Sequence, residues 1–433
     1  MWREDRKYTV LTFTDHSKYT VLRPMAAYDS TSSSSDSDDL LLACAVSVAI
    51  STICRKRQWV HETNLRREEK GEYHNLVREL NAHPERFQMY FRLNKEEFNY
   101  LHNLIKDEIV GQNTQFREAI STEQKLAVCL RYLATGSSFR SLGFSYRLGF
   151  STVRKIVIEV CNAIWNKLAP IVMPEPTEEM WRKSAEKFKD LWNFPNCIAA
   201  IDGKHINIRC PINSGSAFYN YKGNHSVALL ALVDAEYKFL AVDIGSYGQN
   251  SDGSIFSKSI IGQKLESSTA NVPTSTPLCS SGEPQPFVIV GDEAFPLKTY
   301  LLRPYSRYHL GGDESKKVFN YRLSRARKVV ENSFGILSSR WRLFLKPLEI
   351  QPKTVDKVVR AACCLHNMCL KNPLSHEPDQ LSPETSALQQ LQLIRRNPTQ
   401  EALQIRENFK NYFNSPEGSV PWQLPIVHHE RIN

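Results

Sequence analysis

Along the first 170 residues, apolar positions return at helical spacing. Between residues 59 and 110 the anchors Phe87, Tyr90, Phe91, Phe98, Leu101, Leu104 and Ile105 lie three, four or seven apart, which predicts amphipathic helices. A second block, 121–168, is punctuated more sharply. Ser121 can cap a helix through TEQKLAVCLRYLAT, Gly136 stops it, SFRSLGFSYRLG gives a short helix and turn, and Ser151 is placed to cap a third helix, STVRKIVIEVCNAIW. Three helices in this order fit a helix-turn-helix whose last member presents Thr152, Arg154 and Lys155 to a groove or a phosphate backbone. They fit equally well three packed core helices with Arg154 and Lys155 on a wet face.

After the proline-rich stretch 170–179, read as a linker, the period changes. CIAAID (197–202), INIRC (206–210), VALLALVDA (227–235), KFLAVDIG (238–245) and FVIVGD (287–292) are short apolar or alternating runs broken by Gly, Asn and Asp, and predict strands. A Ser/Thr/Pro-rich insert occupies 267–286. From Ser315 the pattern is helical again, and Val330, Phe334, Leu337 and Trp341 form a stripe that would dock one long helix on the sheet.

The N-terminal region reads differently. Low-complexity TSSSSDSDD (31–39) precedes an apolar run, LLLACAVSVAISTIC (40–54), which Arg55, Lys56 and Arg57 follow. Fifteen apolar residues fall short of the ~20 that span a bilayer. A buried or partner-binding helix is the favoured reading, a membrane anchor the other. The chain then divides into a mostly disordered 1–58 with a short apolar helix, an all-α region 59–169, a linker and helix 170–196, an α/β domain 197–372 and a C-terminal tail 373–433 with a terminal helix.

Composition narrows the class. With 41% hydrophobic and 23% charged residues, the 433-residue chain is neither collagen-like, mostly disordered nor a multi-span membrane protein. Its ten cysteines show no CxxC pair and no secreted framework, which points to reduced, buried thiols. Cys363, Cys364, His366 and Cys369 are the densest group, and their helical setting favours core packing over zinc. The net charge of +9 suits a polyanionic partner. Most of it has an address, since nine Lys or Arg and a single acid, Glu331, lie between Lys316 and Lys346.

Three carboxylates then carry candidate chemistry. Asp202 closes one predicted strand, Asp292 closes another, and Glu331 sits one residue from the docking stripe. Each alone is ordinarily a solvated or structural acid, and Glu331 can simply pair with Arg327 one turn earlier. Together, at two strand ends and on a helix crossing the sheet, they suit a hard divalent cation such as Mg²⁺ or Mn²⁺ and an in-line phosphodiester displacement. Arg327, Lys328 and Arg340 would bind the phosphates, with Arg154 and Lys155 as further DNA contacts.

Ordered blocks sharpen this. IAAIDGKHINIRCP, VDIGSYGQNSDGSIF, VIVGDEAFPLKTYLLRPY, RKVVENSFGILSSRWRLF and RAACCLHNMCL together resemble the PIF/Harbinger transposase family of DDE endonucleases, including Harbinger transposase-derived nucleases. The likeness runs from about residue 57 to 423. It implies an RNase H-like catalytic domain preceded by the all-α, helix-turn-helix-containing region, with Asp202, Asp292 and Glu331 as a metal-binding D, D, E triad. It also implies nuclear action on DNA beside a Myb/SANT-like DNA-binding partner protein, with a share in the cytoplasm and self-association left open and no membrane. Departures lie in the Ser251-Asp252-Gly253 loop, where Asp252 is an accessory ligand or an Asx-turn, and in GDEAFPL. A domesticated DNA- or chromatin-associated protein that keeps the fold without catalysis is the competing implication.

Overall fold

The structure, a computed structural model, describes residues 43–47, 60–115, 118–220, 222–247, 252–279, 282–370, 388–390 and 398–429. Residues 1–59 separate from the rest as a unit of their own. Within it, 43–47 form a helical turn whose side chains are exposed, so the apolar run is not buried at that point. The remainder of 40–54, the 31–39 segment and Arg55–Arg57 lie outside the described residues. No helix among the described residues is long and apolar enough to cross a membrane.

Residues 60–433 form the second compact unit. Its helical layer is built from α1 (Pro84–Phe91), α2 (Lys95–Ile109), α3 (Thr122–Thr135), α4 (Phe139–Tyr146) and α5 (Phe150–Val172). The local signals act as expected at α3: the Ser121 side chain accepts from Gln124 N, and Gly136 ends the helix at φ 59°. Asn94 and Glu97 close a reciprocal capping box at α2. At α5 the expectation fails, because the helix starts one residue before Ser151 and is capped by Gly149, which offers no side-chain acceptor. Lys125 ties three of these helices together, donating to Ile109 O at 2.7 Å and pairing with Glu159 at 3.0 Å. The predicted linker is also shorter than expected. Helix α5 carries Pro170 inside its last turn, and α6 (Glu178–Trp192) begins after a Thr177 cap.

Six strands form the main sheet among the described residues, β1 (Cys197–Asn207), β2 (Ser226–Val233), β3 (Phe239–Tyr247), β4 (Val288–Val290), β5 (Leu301–Leu302) and β6 (Leu388–Gln390). The order is β3-β2-β1-β4-β5, antiparallel across β1, β2 and β3 and parallel across β1, β4 and β5. Long β1 serves two neighbours on one edge: its first half runs beside β4, and Lys204 to Ile206 pair with β6. The two strands expected on either side of Asp202–Gly203 are therefore one. Gly203, Lys204 and His205 stay in register with Leu230, Leu229 and Ala228 of the wholly buried β2, and that pairing overrides the local Asp-Gly turn signal. Between β3 and β4 lie two short helices, α7 (Asp252–Lys258) and α8 (Ile260–Glu266). The 267–286 insert contributes a small ladder, Thr276–Pro277 with Pro284–Gln285, pinned where Asn196 Nδ2 donates to both Thr276 O and Gln285 O.

Helices α9 (Glu314–Arg340) and α10 (Pro352–Cys369) cover one face of the sheet. The docking stripe is buried as read: Val330, Phe334, Leu337 and Trp341 are each at most 2% exposed. Cys363, Cys364 and Cys369 pack in the same core, and His366 donates to Tyr237 O at 2.9 Å. Since α5 lies against α10, helical layer and sheet share one continuous core. Helices α11 (Gln400–Phe413) and α12 (Gln423–His429) close over α9.

Candidate active site

Strand register sets the first two acids side by side. Ala200 of β1 pairs with Val290 of parallel β4, so Asp202 and Asp292 each stand two residues beyond the paired positions. Gly291 makes the approach possible, because a Cβ there would come within 3.0 Å of Ile201 Cγ2 and of the Phe295 ring. Past Asp292 the chain turns: Ala294 N donates to Asp292 Oδ1 at 2.9 Å, and Arg303 braces the loop through Phe295 O at 3.2 Å. Helix α9 packs across β1, β2 and β4 and supplies Glu331 one turn before the buried Phe334.

The three acids act on one another's charge. Asp202 is 1% exposed. Burial pushes its carboxyl up to about 6; Lys204 and Arg327 oppose the rise, while Asp292 and Glu331 add to it. Asp292 is raised as well, first by burial; its bond from Ala294 N and the charge of Arg327 act against this, and Glu331 acts with it. Two cations are interleaved with the carboxylates. Arg327 Nη2 lies 2.7 Å from Glu331 Oε1, and Lys204 Nζ lies 3.7 Å from Asp202 Oδ2 and 5.8 Å from the Phe334 ring centroid. Even so, two polar atoms in the cluster have no hydrogen bond, Asp202 Oδ2 and Arg327 Nη1.

Such a donor set fits a hard divalent cation in kind: three carboxylates, oxygen only, with one buried oxygen that makes no hydrogen bond. It is not a closed coordination shell. Among the described residues no three His, Cys, Asp or Glu side chains stand grouped as a metal site. Arg327 and Lys204 hold instead the positive charge the acids need.

The predicted phosphate-binding residues separate into two groups. Lys328 is exposed on α9, and Arg154 and Lys155 are exposed on α5, where Arg154 donates to Gln351 Oε1 at 3.3 Å. Arg340 is corrected: it is only 5% exposed and donates to Arg92 O at 3.4 Å, so it joins helical layer to sheet layer and faces no solvent groove. Arg322, counted in the same basic run, is 2% exposed and donates to Gly418 O, Gln423 Oε1 and Asn193 O, fastening the C-terminal helices. Asp252 opens α7, and its side chain lies outside the described ones. Lys204 was missed by sequence reasoning. Its signal, that residues two apart on a strand share a face, applies only once β1 continues past Asp202, where the sequence reading ends the strand.

Residues 201–367 match the family model for DDE superfamily endonucleases. The chain is similar to Protein ALP1-like of Arabidopsis thaliana, 26% identical over 68% of this chain and 75% of that protein. It is likewise 26% identical to Antagonist of Like Heterochromatin Protein 1 of the same plant, over 66% of this chain and 72% of the relative. Against the candidate nuclease HARBI1 of Rattus norvegicus the identity is 23%, over 61% of this chain and 71% of the relative. No solved structure matches the chain.

Proposed function

From residues 201–367 belonging to the DDE superfamily endonucleases, in a chain related to Harbinger-derived nucleases, we propose that this protein is a divalent-metal-dependent DNA endonuclease or transposase with Asp202, Asp292 and Glu331 as its metal-holding triad. One observation carries the reading: a buried carboxylate, Asp202, has an oxygen that makes no hydrogen bond, with Lys204 Nζ 3.7 Å away, beside a second acid two residues past the paired strands and a third on α9. Eleven buried polar atoms among the described residues make no hydrogen bond, and this one is set apart by the two further carboxylates that act on it. The family generally uses divalent metal ions, and a cation bound here supplies charge to a phosphate and makes an attacking hydroxyl more acidic. The protein's own groups do the rest. Asp202 orients from within β1 and Asp292 from just beyond β4, Glu331 approaches from α9, and Lys204, Arg327 and Lys328 provide cations for the phosphates of the scissile strand. On this reading the domain is RNase H-like, the preceding helices include a helix-turn-helix, and the protein acts in the nucleus with a Myb/SANT-like DNA-binding partner protein.

A second reading is a chromatin-associated protein that keeps the fold without cleavage. The Arg327–Glu331 ion pair and the plant relative named as an antagonist of a heterochromatin protein favour it. Purified chain with supercoiled plasmid and Mg²⁺ or Mn²⁺ separates the two. The endonuclease reading expects metal-dependent nicking that Asp292→Asn reduces at least 100-fold with an unchanged circular dichroism spectrum. Equal nicking by that variant, or none by the unmodified chain, overturns it.

A further inference from the structure

The corner where α4 meets α5 exposes side chains that a protein surface ordinarily hides. Phe144 is 79% exposed and Phe150 is 59% exposed, the first on α4 and the second opening α5. They sit on adjoining backbone. A Cβ on Gly143 would lie 2.8 Å from Leu148 O and 3.6 Å from Phe150 N, so the glycine lets the start of α5 press against α4. Beneath them the corner is anchored by buried Leu142, Tyr146, Leu148 and Val153, and the Tyr146 hydroxyl lies 2.9 Å from that of Tyr90. The exposed rings therefore stand on a fixed base and are not the fraying end of a helix.

Along the chain their surroundings are one-signed, and in space one acid comes near: Glu72 N donates to Ser145 O at 2.9 Å while its carboxylate accepts from the Tyr90 hydroxyl. Between Glu123 and Glu159 there is no acid, while Arg140, Arg147, Arg154 and Lys155 lie along the corner. Arg140, Arg154 and Lys155 are exposed, Arg147 is half-buried, and the Arg140 guanidinium stands 5.8 Å from the Phe150 ring centroid. Gly149 leaves the first N–H groups of the 23-residue α5 without a side-chain acceptor, a further source of positive potential where Ser151 is also exposed. Basic side chains on the same corner as exposed phenyl groups complement a polyanion that carries flat apolar surfaces inside it.

We propose that the α4–α5 corner is a DNA-distorting contact: Arg140, Arg147, Arg154 and Lys155 hold backbone phosphates of a duplex while Phe144 and Phe150 wedge against its bases and unstack a step. Side chains of this kind kink duplexes in other proteins by partial insertion, at a cost lowest where pairing is already weak. The inference rests on the reading of the chain as a protein that acts on DNA, and it adds a site on different elements from the acid cluster.

The test is binding of full-length protein in EDTA, where no cleavage occurs, to fluorescein-labelled duplexes of about 30 base pairs, fully paired or with a central mismatch. We expect tighter binding to the mismatched duplex. The double variant Phe144→Ser/Phe150→Ser is expected to lose that preference and about 10-fold in affinity, with an unaltered salt slope and an unaltered thermal midpoint. Arg140→Gln/Arg154→Gln is expected to weaken both duplexes alike and to flatten the slope of log affinity against log salt by about 2. Unchanged mismatch preference in the phenylalanine variant overturns the proposal. So does a change in oligomeric state with DNA binding intact, which would make the corner a protein interface. Failure here with metal-dependent nicking retained would leave the acid cluster standing, and loss of nicking with mismatch preference retained would do the reverse.

Discussion

Two polar clusters lie on the same face of the sheet and are finished to different degrees. Around the start of β3 every group is answered: Asn367 of α10 accepts from Phe239 N at 2.9 Å and donates to Phe239 O and Val172 O, His366 donates to Tyr237 O, and Ser333 of α9 donates to the same carbonyl. Midway along β1 the groups run from buried Asp202 to half-buried Arg327 and Glu331, and not all are answered. Asp202 Oδ2 and Arg327 Nη1 lack hydrogen bonds, and three acids share two cations. A satisfied buried network fixes a unique packing. An unsatisfied one costs stability, and a ligand is one way to complete it. The first cluster is architecture, and the second is the one proposed above as a site.

Breaking the finished cluster should cost most. Asn367→Ala strands a backbone N–H and two carbonyls between α5, α10 and β3, and should destabilise the protein by about 3 kcal/mol in urea unfolding. A loss below about 1 kcal/mol would remove the contrast between the clusters. The opposite sign is expected at the site. Asp202→Asn relieves a buried charge and should stabilise the metal-free protein at pH 7 by on the order of 2 kcal/mol, less whatever Lys204 loses as its partner. Destabilisation by this variant would show that Asp202 is structural.

A smaller effect separates the clusters by pH. Lys204 on β1, Arg327 and Glu331 on α9 and Asp292 beyond β4 face Asp202, whose carboxyl stands at about 6 in the fold against an ordinary 3.8. Between those values the folded state holds a proton the unfolded chain has released, so this group makes stability fall as pH rises from about 4 to 6. His366 acts the other way. Burial, with Arg340 nearby, lowers it to about 4, so the unfolded chain takes its proton first and stability falls as pH drops from 6.5 to 4. Thermal midpoints across this window should show the Asp202→Asn gain disappearing toward pH 4, while a His366→Asn variant should lose the acid-side decline. Identical pH profiles for both variants and the parent would refute the assignment. Lys328→Ala should do least, within about 0.5 kcal/mol of the parent stability, because Lys328 is exposed; its expected signature is a shallower salt dependence of DNA binding.

Much of this architecture is written in local pattern. Helical spacing locates α1 to α5, Ser121 and Gly136 mark the ends of α3, and the stripe from Val330 to Trp341 states which side of α9 is buried. Asp202, Asp292 and Glu331 are candidates in sequence because acids follow two apolar runs and a helix returns later, although β1 in fact runs on past Asp202. What pattern could not show was tertiary. Asp202–Gly203 resembles a turn until the wholly apolar β2 runs alongside and keeps the strand going. A charge run cannot reveal that carbonyls of Asn193 and Gly418 wait for Arg322, or that Arg92 O meets Arg340, so phosphate-facing and structural arginines look alike in sequence. Lys204 escaped notice for the related reason that its place on the acid face depends on β1 continuing past Asp202.

The central claim is that the unfinished cluster is completed by a divalent cation. Mn²⁺ titrated into the purified full-length protein and followed by electron paramagnetic resonance tests it without any need for turnover. Saturable binding is expected, weakened at least 10-fold by Asp202→Asn and by Asp292→Asn and left unchanged by Asn408→Ala on the distant α11. Mn²⁺ bound equally well by all of these proteins, or by none, would contradict it.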